Sequence, residues 1–137
     1  MNYYKEIKTK IIDNETYEMV KDYSKERHRV IAYFEIGKLL NEAGKKYGAG
    51  IIKEYSKKLV LEVGTKYNER TLRRIRQYYV KFSNQKWSMV STKLSWSHYS
   101  EVLSIKDEDK LMYYINVCIN RNLSKMKLRE IIKIKGI

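Results

Sequence analysis

The chain has 137 residues, of which 43% are hydrophobic and 33% charged, a balance typical of a folded domain rather than a disordered chain. It has no proline and only six glycines, so long helices are permitted, and no apolar run approaches the roughly 18 residues of a membrane span. The first residues lack an apolar signal core, and the single Cys118 excludes an internal disulfide framework. We therefore expect one domain, residues 1–137, in the cytoplasm.

The net charge of +13 is concentrated in the middle of the chain. Residues 1–44 carry 8 Lys/Arg and 8 Asp/Glu, whereas residues 45–93 carry 13 and 3, and residues 94–137 carry 8 and 5. A general lysine bias would raise the charge everywhere. A localised basic block instead predicts a surface that binds a polyanion. A merely well-solvated face is the alternative interpretation.

Apolar periodicity predicts six or seven helices and an all-α fold, because strand-like alternation is poor throughout. A short helix is expected over residues 2–12, and a long helix from a hydroxyl cap at Thr16 to about Ala43, stopped by Gly44 and the further glycines of residues 44–50. The apolar positions of the long helix recur at steps of three and four residues. They are Val20, Tyr23, Val30, Phe34 and Gly37, widened by Ile31, Leu39 and Leu40.

The next two predicted helices form a compact unit with a helix-turn-helix pattern. One covers about residues 50–63, and after Gly64 the side chain of Asn68 caps the other, over residues 69–83. The second helix has an apolar row formed by Leu72, Ile75, Tyr79 and Phe82. Its opposite row is polar and mostly cationic: Arg70, Arg73, Arg74, Gln77 and Lys81. This pairing makes the second helix the candidate recognition helix.

The remainder of the chain predicts shorter helices with polar caps. Repeated serines before apolar positions indicate short capped helices up to about residue 103. Acidic residues 107–109 favour the start of a helix that buries Leu111, Tyr114, Ile115, Cys118 and Ile119. Ser124 is expected to cap a last helix, residues 125–134, with Met126 or Leu128 in its apolar row.

The residues that enzymatic chemistry needs are not recognisable in this sequence. The only histidines, His28 and His98, are far apart, and no Cys/His cluster or Walker loop occurs. Glu-x-Lys occurs at residues 6–8 and 108–110, but without the upstream aspartate that a nuclease site requires. We therefore predict no catalytic activity, no metal and no cofactor. The Gly-Ala-Gly segment, residues 48–50, is either a simple turn or a phosphate contact at a helix start.

Four segments, taken in order, resemble the N-terminal domain of the YhcG-like PDDEXK nucleases: AYFEIGKLLNE, YGAGIIKEYSKKL, NERTLRRIRQYY and LSWSHYSEVL. The resemblance covers about residues 16–135. It implies a helical, helix-turn-helix-like module that precedes a nuclease domain, handles DNA or assembly, and occurs in mobile-element or defence loci. The family's arginine-bearing helix matches Arg70, Arg73, Arg74 and Arg76, and its Trp-Ser-His motif matches residues 96–98. The nuclease domain's catalytic carboxylates and lysine have no counterpart in this chain.

These patterns predict a non-catalytic module that binds nucleic acid, with duplex DNA as the favoured partner. The predicted contacts are the polar row (Arg70, Arg73, Arg74, Gln77 and Lys81) and nearby lysines (Lys45, Lys46, Lys53, Lys57 and Lys58). The alternative is a protein-interaction module that forms a homodimer or docks onto a nuclease partner. Arg76 is the exception among the arginines, since it could pair with Glu35. Trp96 and His98 are expected to be structural, whereas Tyr78 could stack on an unpaired base.

Overall fold

Seven α-helices and one 3₁₀ turn account for nearly all residues described by the computed structural model, which covers 1–19, 25–83 and 94–134. The helices are α1 (Tyr3–Glu18), α2 (Lys25–Tyr47), α3 (Gly50–Glu62), α4 (Glu69–Phe82), α5 (Trp96–Val102), α6 (Glu108–Arg121) and α7 (Lys125–Ile134), with the turn at Thr65–Tyr67 between α3 and α4. These ranges contain no β-strand, so the predicted all-α fold is confirmed.

Helix α1 is longer than predicted, and the predicted cap at Thr16 is wrong. The helix starts after Asn2, whose side chain accepts a hydrogen bond from the Lys5 amide, and it continues through Thr16. A tertiary contact explains the extension, because the fully buried Asn14 accepts a 2.8 Å hydrogen bond from His28 Nδ1 on α2. Two members of the predicted apolar row, Val20 and Tyr23, lie outside the described residues.

Helix α2 passes Gly44 and ends within the predicted glycine segment, residues 44–50. It continues to Tyr47 and ends at Gly48, whose φ of 93° lies in the left-handed region that glycine adopts without a steric penalty. The Gly48 amide donates a 2.9 Å hydrogen bond to the Gly44 carbonyl and closes the last turn. Lys45 and Lys46 consequently belong to the last turn of a helix, where cations complement the helix dipole.

The centre of the fold is the packing of α2 against α1 and α4. Gly37 permits the close approach of α2 to α4, because a Cβ at that position would lie 2.5 Å from the Ile75 carbonyl oxygen. The predicted stripe of α2 is rotated slightly, since Phe34 is only partly buried and Ile31 is exposed. The observed buried row is Val30, Tyr33, Ile36, Leu40 and Ala43.

Polar residues cap the later helices, and the caps at Asn68 and Ser124 were predicted. Asn68 accepts a 3.0 Å hydrogen bond from the Thr71 amide at the start of α4, and Asp107 and Ser124 cap α6 and α7. The inward positions predicted for α6 are buried, except for the partly buried Ile119. In α7, Leu128 is buried and Met126 is exposed. No helix in the described ranges is both long and apolar enough to cross a membrane.

Candidate nucleic-acid interface

Helix α4 separates apolar and polar side chains sharply, as its sequence predicts. Leu72, Ile75 and Phe82 are buried as expected. The prediction for the two adjacent tyrosines is wrong, because Tyr78 is fully buried while Tyr79 is partly exposed. Tyr78 donates a 3.0 Å hydrogen bond to the Val30 carbonyl, and burial raises its pKa. Tyr78 is therefore part of the core and cannot stack on a nucleobase.

The C-terminal half of the polar row holds α5 in place. Arg74 donates to the carbonyl and hydroxyl oxygens of Ser100, at 2.7 and 2.6 Å. Gln77 donates to the Leu103 carbonyl at 3.1 Å, and Lys81 donates to the Ile105 carbonyl at 2.6 Å. A seven-residue helix leaves many of its own carbonyls without intrahelical partners, and these three donors satisfy carbonyls at its end and just beyond it.

This arrangement bears on the expected use of Arg74, Gln77 and Lys81 as DNA contacts, which stays a prediction. The sequence predicts them as DNA contacts, whereas their donor groups bind backbone carbonyls of the same domain. Burial also lowers the pKa of Lys81, against the opposing effect of nearby Glu108. Contact of these three side chains with a DNA groove would have to compete with their hydrogen bonds inside the domain.

The N-terminal half of the polar row faces solvent. Arg70 is exposed and makes no ion pair with any residue that the structure describes. Arg73 is also exposed, and its Nε lies 2.7 Å from Glu69 Oε2, one helical turn earlier. An exposed pair of this kind contributes little to stability, so Arg73 can exchange Glu69 for another anion at small cost.

The predicted lysines lie on α2 and α3, and all five are exposed. Lys45, Lys53 and Lys57 have no ion pair within the described ranges. Lys46 lies 5.6 Å from the ring centroid of Tyr47, and Lys58 lies 5.2 Å from that of Tyr4. The buried row of α3 consists of Ile52, Tyr55, Ser56 and Leu59, so the lysine ammonium groups are directed away from the core.

The start of α3 lies next to these lysines in the chain and lacks a side-chain cap. Its N-cap is Ala49, which offers no hydrogen-bond acceptor, and its first turn contains no acidic residue. Gly48 and Gly50 border open space, since a Cβ at either position would meet no atom within 4 Å. The Ile51 and Ile52 amides donate to the Gly48 and Ala49 carbonyls, so the helix start presents the positive end of its dipole, without a side-chain cap, near three cations in the chain, Lys45, Lys46 and Lys53.

The Trp-Ser-His motif has a structural role, in agreement with the sequence-based expectation for Trp96 and His98. His98 Nδ1 accepts a 3.1 Å hydrogen bond from the Ser95 amide, while the Ser95 side chain accepts from the His98 amide. This reciprocal pair is a capping box for α5. The His98 Nε2 hydrogen is directed at the Leu123 carbonyl at 2.7 Å, and Trp96 packs edge-on against Tyr33 and Tyr78.

The sequence suggested that Arg76 pairs with Glu35, but the structure does not show this pair. Arg76 Nε donates to Asn41 Oδ1 at 3.3 Å, whereas Glu35 pairs with Lys10 at 2.9 Å. Within the described part of the chain, no group of three or more His, Cys, Asp or Glu side chains is arranged to hold a metal ion. Cys118 is buried, and burial raises the pKa of its thiol to about 11.

One sequence comparison identifies a family. The profile of the DUF1016 N-terminal domain family matches residues 6–136, almost the full length of the chain. No curated protein and no solved structure shows significant similarity. The match agrees with the resemblance to the N-terminal domain of the YhcG-like proteins, and the association with a nuclease stays a prediction.

Proposed function

The chain belongs to the DUF1016 N-terminal domain family, and we propose that it is a non-catalytic module that binds the phosphate backbone of duplex DNA. The proposed interface, here called the basic edge, consists of the exposed cations at the end of α2, along α3 and at the start of α4: Lys45, Lys46, Lys53, Lys57 and Arg70. The resemblance to the YhcG-like nucleases supports a role in which this module serves a nuclease domain or partner.

One observation carries the proposal: the basic edge is cationic without carboxylate partners. Elsewhere in the domain, charge pairs join different helices, such as Lys8 to Glu62 and Arg129 to Glu101. None of the five members of the basic edge has such a partner in the described ranges. Unpaired surface cations attract polyanions, and each phosphate contact gains free energy from counterion release.

The geometry favours binding to phosphates over reading of bases. Lysine acts as a point charge and suits phosphate, whereas arginine and glutamine form the bidentate contacts that distinguish bases. Of the residues capable of bidentate contacts in the predicted recognition row, Arg74 and Gln77 are engaged with carbonyls near α5. We therefore expect DNA binding that tolerates sequence variation and depends strongly on salt.

Salt-dependent titration tests this proposal. If the five members of the basic edge each neutralise one phosphate, log K should fall against log salt with a slope of about −4 to −5. We expect Lys53→Ala to weaken binding and to make the slope shallower by about one unit. Lys38→Ala is the matched control, because Lys38 is an exposed helical lysine in the neutral first third of the chain. A slope near zero, or equal losses in both variants, contradicts the proposal.

A second candidate function, protein interaction, is favoured by the surface of α7. This helix buries only Leu128 fully, while Met126 and Ile134 are 63% and 82% exposed. Large exposed apolar side chains on one short helix are typical of a surface that pairs with another protein. A homodimer or a nuclease partner would bind there. Sedimentation of the wild type and of Met126→Ser would detect self-association through this helix.

A further inference from the structure

An open cleft of about 540 Å³ lies where the start of α1 and the end of α2 meet α3. Its volume is in the range of ligand-binding pockets. The cleft is unusually aromatic for an exposed position, and it also contains one acidic and one basic side chain. The residues that matter for its chemistry are Tyr3, Tyr4, Tyr47, Tyr55, Glu54 and Lys58.

Two of these tyrosines form a fixed wall. Tyr55 is 6% exposed, and its ring lies 5.5 Å from that of Tyr4. The Tyr4 hydroxyl donates to the carboxylate of Glu62, and Lys58 lies 5.2 Å from the centroid of the Tyr4 ring. The position of Tyr4 is therefore set by its contacts with Glu62 and Lys58 on α3.

The other two tyrosines line the open side of the cleft. The rings of Tyr3 and Tyr47 lie 6.3 Å apart at an angle of 79°, an edge-to-face arrangement. Tyr47 is 54% exposed, and Lys46 approaches its ring at 5.6 Å. An aromatic ring fixed at one edge and half open to solvent offers a surface on which another flat ring can stack.

Glu54 supplies the complementary hydrogen-bonding group. Its side chain is exposed at the cleft and makes no ion pair or hydrogen bond within the described ranges, so both carboxylate oxygens can accept from a ligand. A carboxylate beside an aromatic platform suits the exocyclic amine of a nucleobase, as in the pairing of acidic side chains with the cytosine N4 amine. Lys46 and Lys58 flank the site and suit the phosphates on either side of such a base.

We propose that this cleft takes one unpaired nucleobase from a single-stranded DNA end, stacked on Tyr47 with its amine directed at Glu54. The inference rests on the proposed function, because the cleft adjoins Lys45 and Lys46 of the basic edge. The amine requirement favours cytosine, adenine or guanine over thymine, the DNA base without an exocyclic amine. A cationic ligand is disfavoured because Lys46 and Lys58 already bring two positive charges to the aromatic rings.

Equilibrium titration of the full chain against three probes tests the proposal. The probes are a blunt duplex, the same duplex with a single-stranded cytosine overhang, and the same duplex with a thymine overhang. We expect the cytosine overhang to bind about tenfold more tightly than the blunt duplex, the gain expected from stacking one base. The thymine overhang should gain less. Glu54→Ala should remove the difference between the two overhangs.

Variants of the stacking ring give the sharpest control. Tyr47→Ala should abolish the gain from the overhang and leave affinity for the blunt duplex unchanged, whereas Tyr47→Phe should retain the gain. Tyr113→Ala is the matched control, because Tyr113 is a similarly exposed tyrosine, 49%, on α6 outside the cleft. Loss of blunt-duplex affinity in Tyr47→Ala equal to the loss of overhang affinity would overturn the assignment of the cleft to a base.

The outcomes also separate this inference from the proposed function. If the wild type binds the blunt duplex and gains nothing from either overhang, the inference fails and the proposed function stands. If it binds none of the probes, both fail. Tyrosine fluorescence changes on addition of a trimethyllysine peptide, without any overhang preference, would reassign the cleft to cationic ligands.

Discussion

The two halves of the polar row on α4 use the same kinds of side chain for opposite purposes. In the N-terminal half, Arg70 and Arg73 face solvent, and only Arg73 has a partner among the described residues. In the C-terminal half, Arg74 and Lys81 donate to carbonyls at the end of α5 and beyond it. A cation on a polar helix face is therefore available for a ligand only when no unsatisfied carbonyl lies within its reach.

The largest loss of stability should come from truncating a side chain in the apolar row of α4. Leu72 is fully buried under α4, and truncating a buried leucine creates a cavity. We expect Leu72→Ala to lower the free energy of unfolding by about 2–5 kcal/mol, as measured by chemical denaturation. Leu61→Ala is the control, because Leu61 is 87% exposed on α3 and should change stability by less than about 0.5 kcal/mol. Equal effects would show that the α4 packing described here is incorrect.

An intermediate effect should separate the two halves directly. Arg74→Ala removes both hydrogen bonds to Ser100 and should lower the free energy of unfolding by about 1–2 kcal/mol. Arg73→Ala removes only an exposed ion pair and should cost less than about 0.5 kcal/mol. In DNA titrations the order should reverse, because exposed Arg73 lies one turn after Arg70 of the basic edge and can exchange Glu69 for a phosphate. If Arg74→Ala keeps full stability and loses DNA affinity, the assignment of Arg74 to fold stability is contradicted.

In a DNA-cleavage assay we expect no effect of the chain on the plasmid. Glu6 and Glu108 belong to Glu-x-Lys pairs, but Lys8 pairs with Glu62, and neither glutamate joins a group of metal-ligating residues in the described ranges. We expect supercoiled plasmid to stay intact with this chain in the presence of Mg²⁺ or Mn²⁺, as judged by gel electrophoresis. Nicking that survives repurification and disappears in Glu108→Gln would contradict a non-catalytic function.

Local features of the sequence predicted most of the helices. The predicted caps at Asn68 and Ser124 are confirmed because capping needs only a side-chain oxygen and an amide three residues later. The predicted glycine segment, residues 44–50, does end α2, but the helix passes Gly44, because one helical glycine costs only about 1 kcal/mol, and it ends at Gly48. The extension of α1 through Asn14 depended on His28, a residue on another helix.

Some features of the candidate interface also follow from the sequence alone, whereas others depend on tertiary contacts. The sequence by itself determined that the chain is helical and that its excess cations lie between residues 45 and 93, because periodicity and charge are properties of neighbouring residues. Only the tertiary structure decided which of Tyr78 and Tyr79 is buried, since adjacent residues lie about 100° apart on a helix and a small rotation exchanges them. It also decided that Arg74 and Gln77 are engaged, because their acceptors lie 26 residues further along the chain. No local pattern contains a contact of that separation, and it forms only when α5 packs against α4.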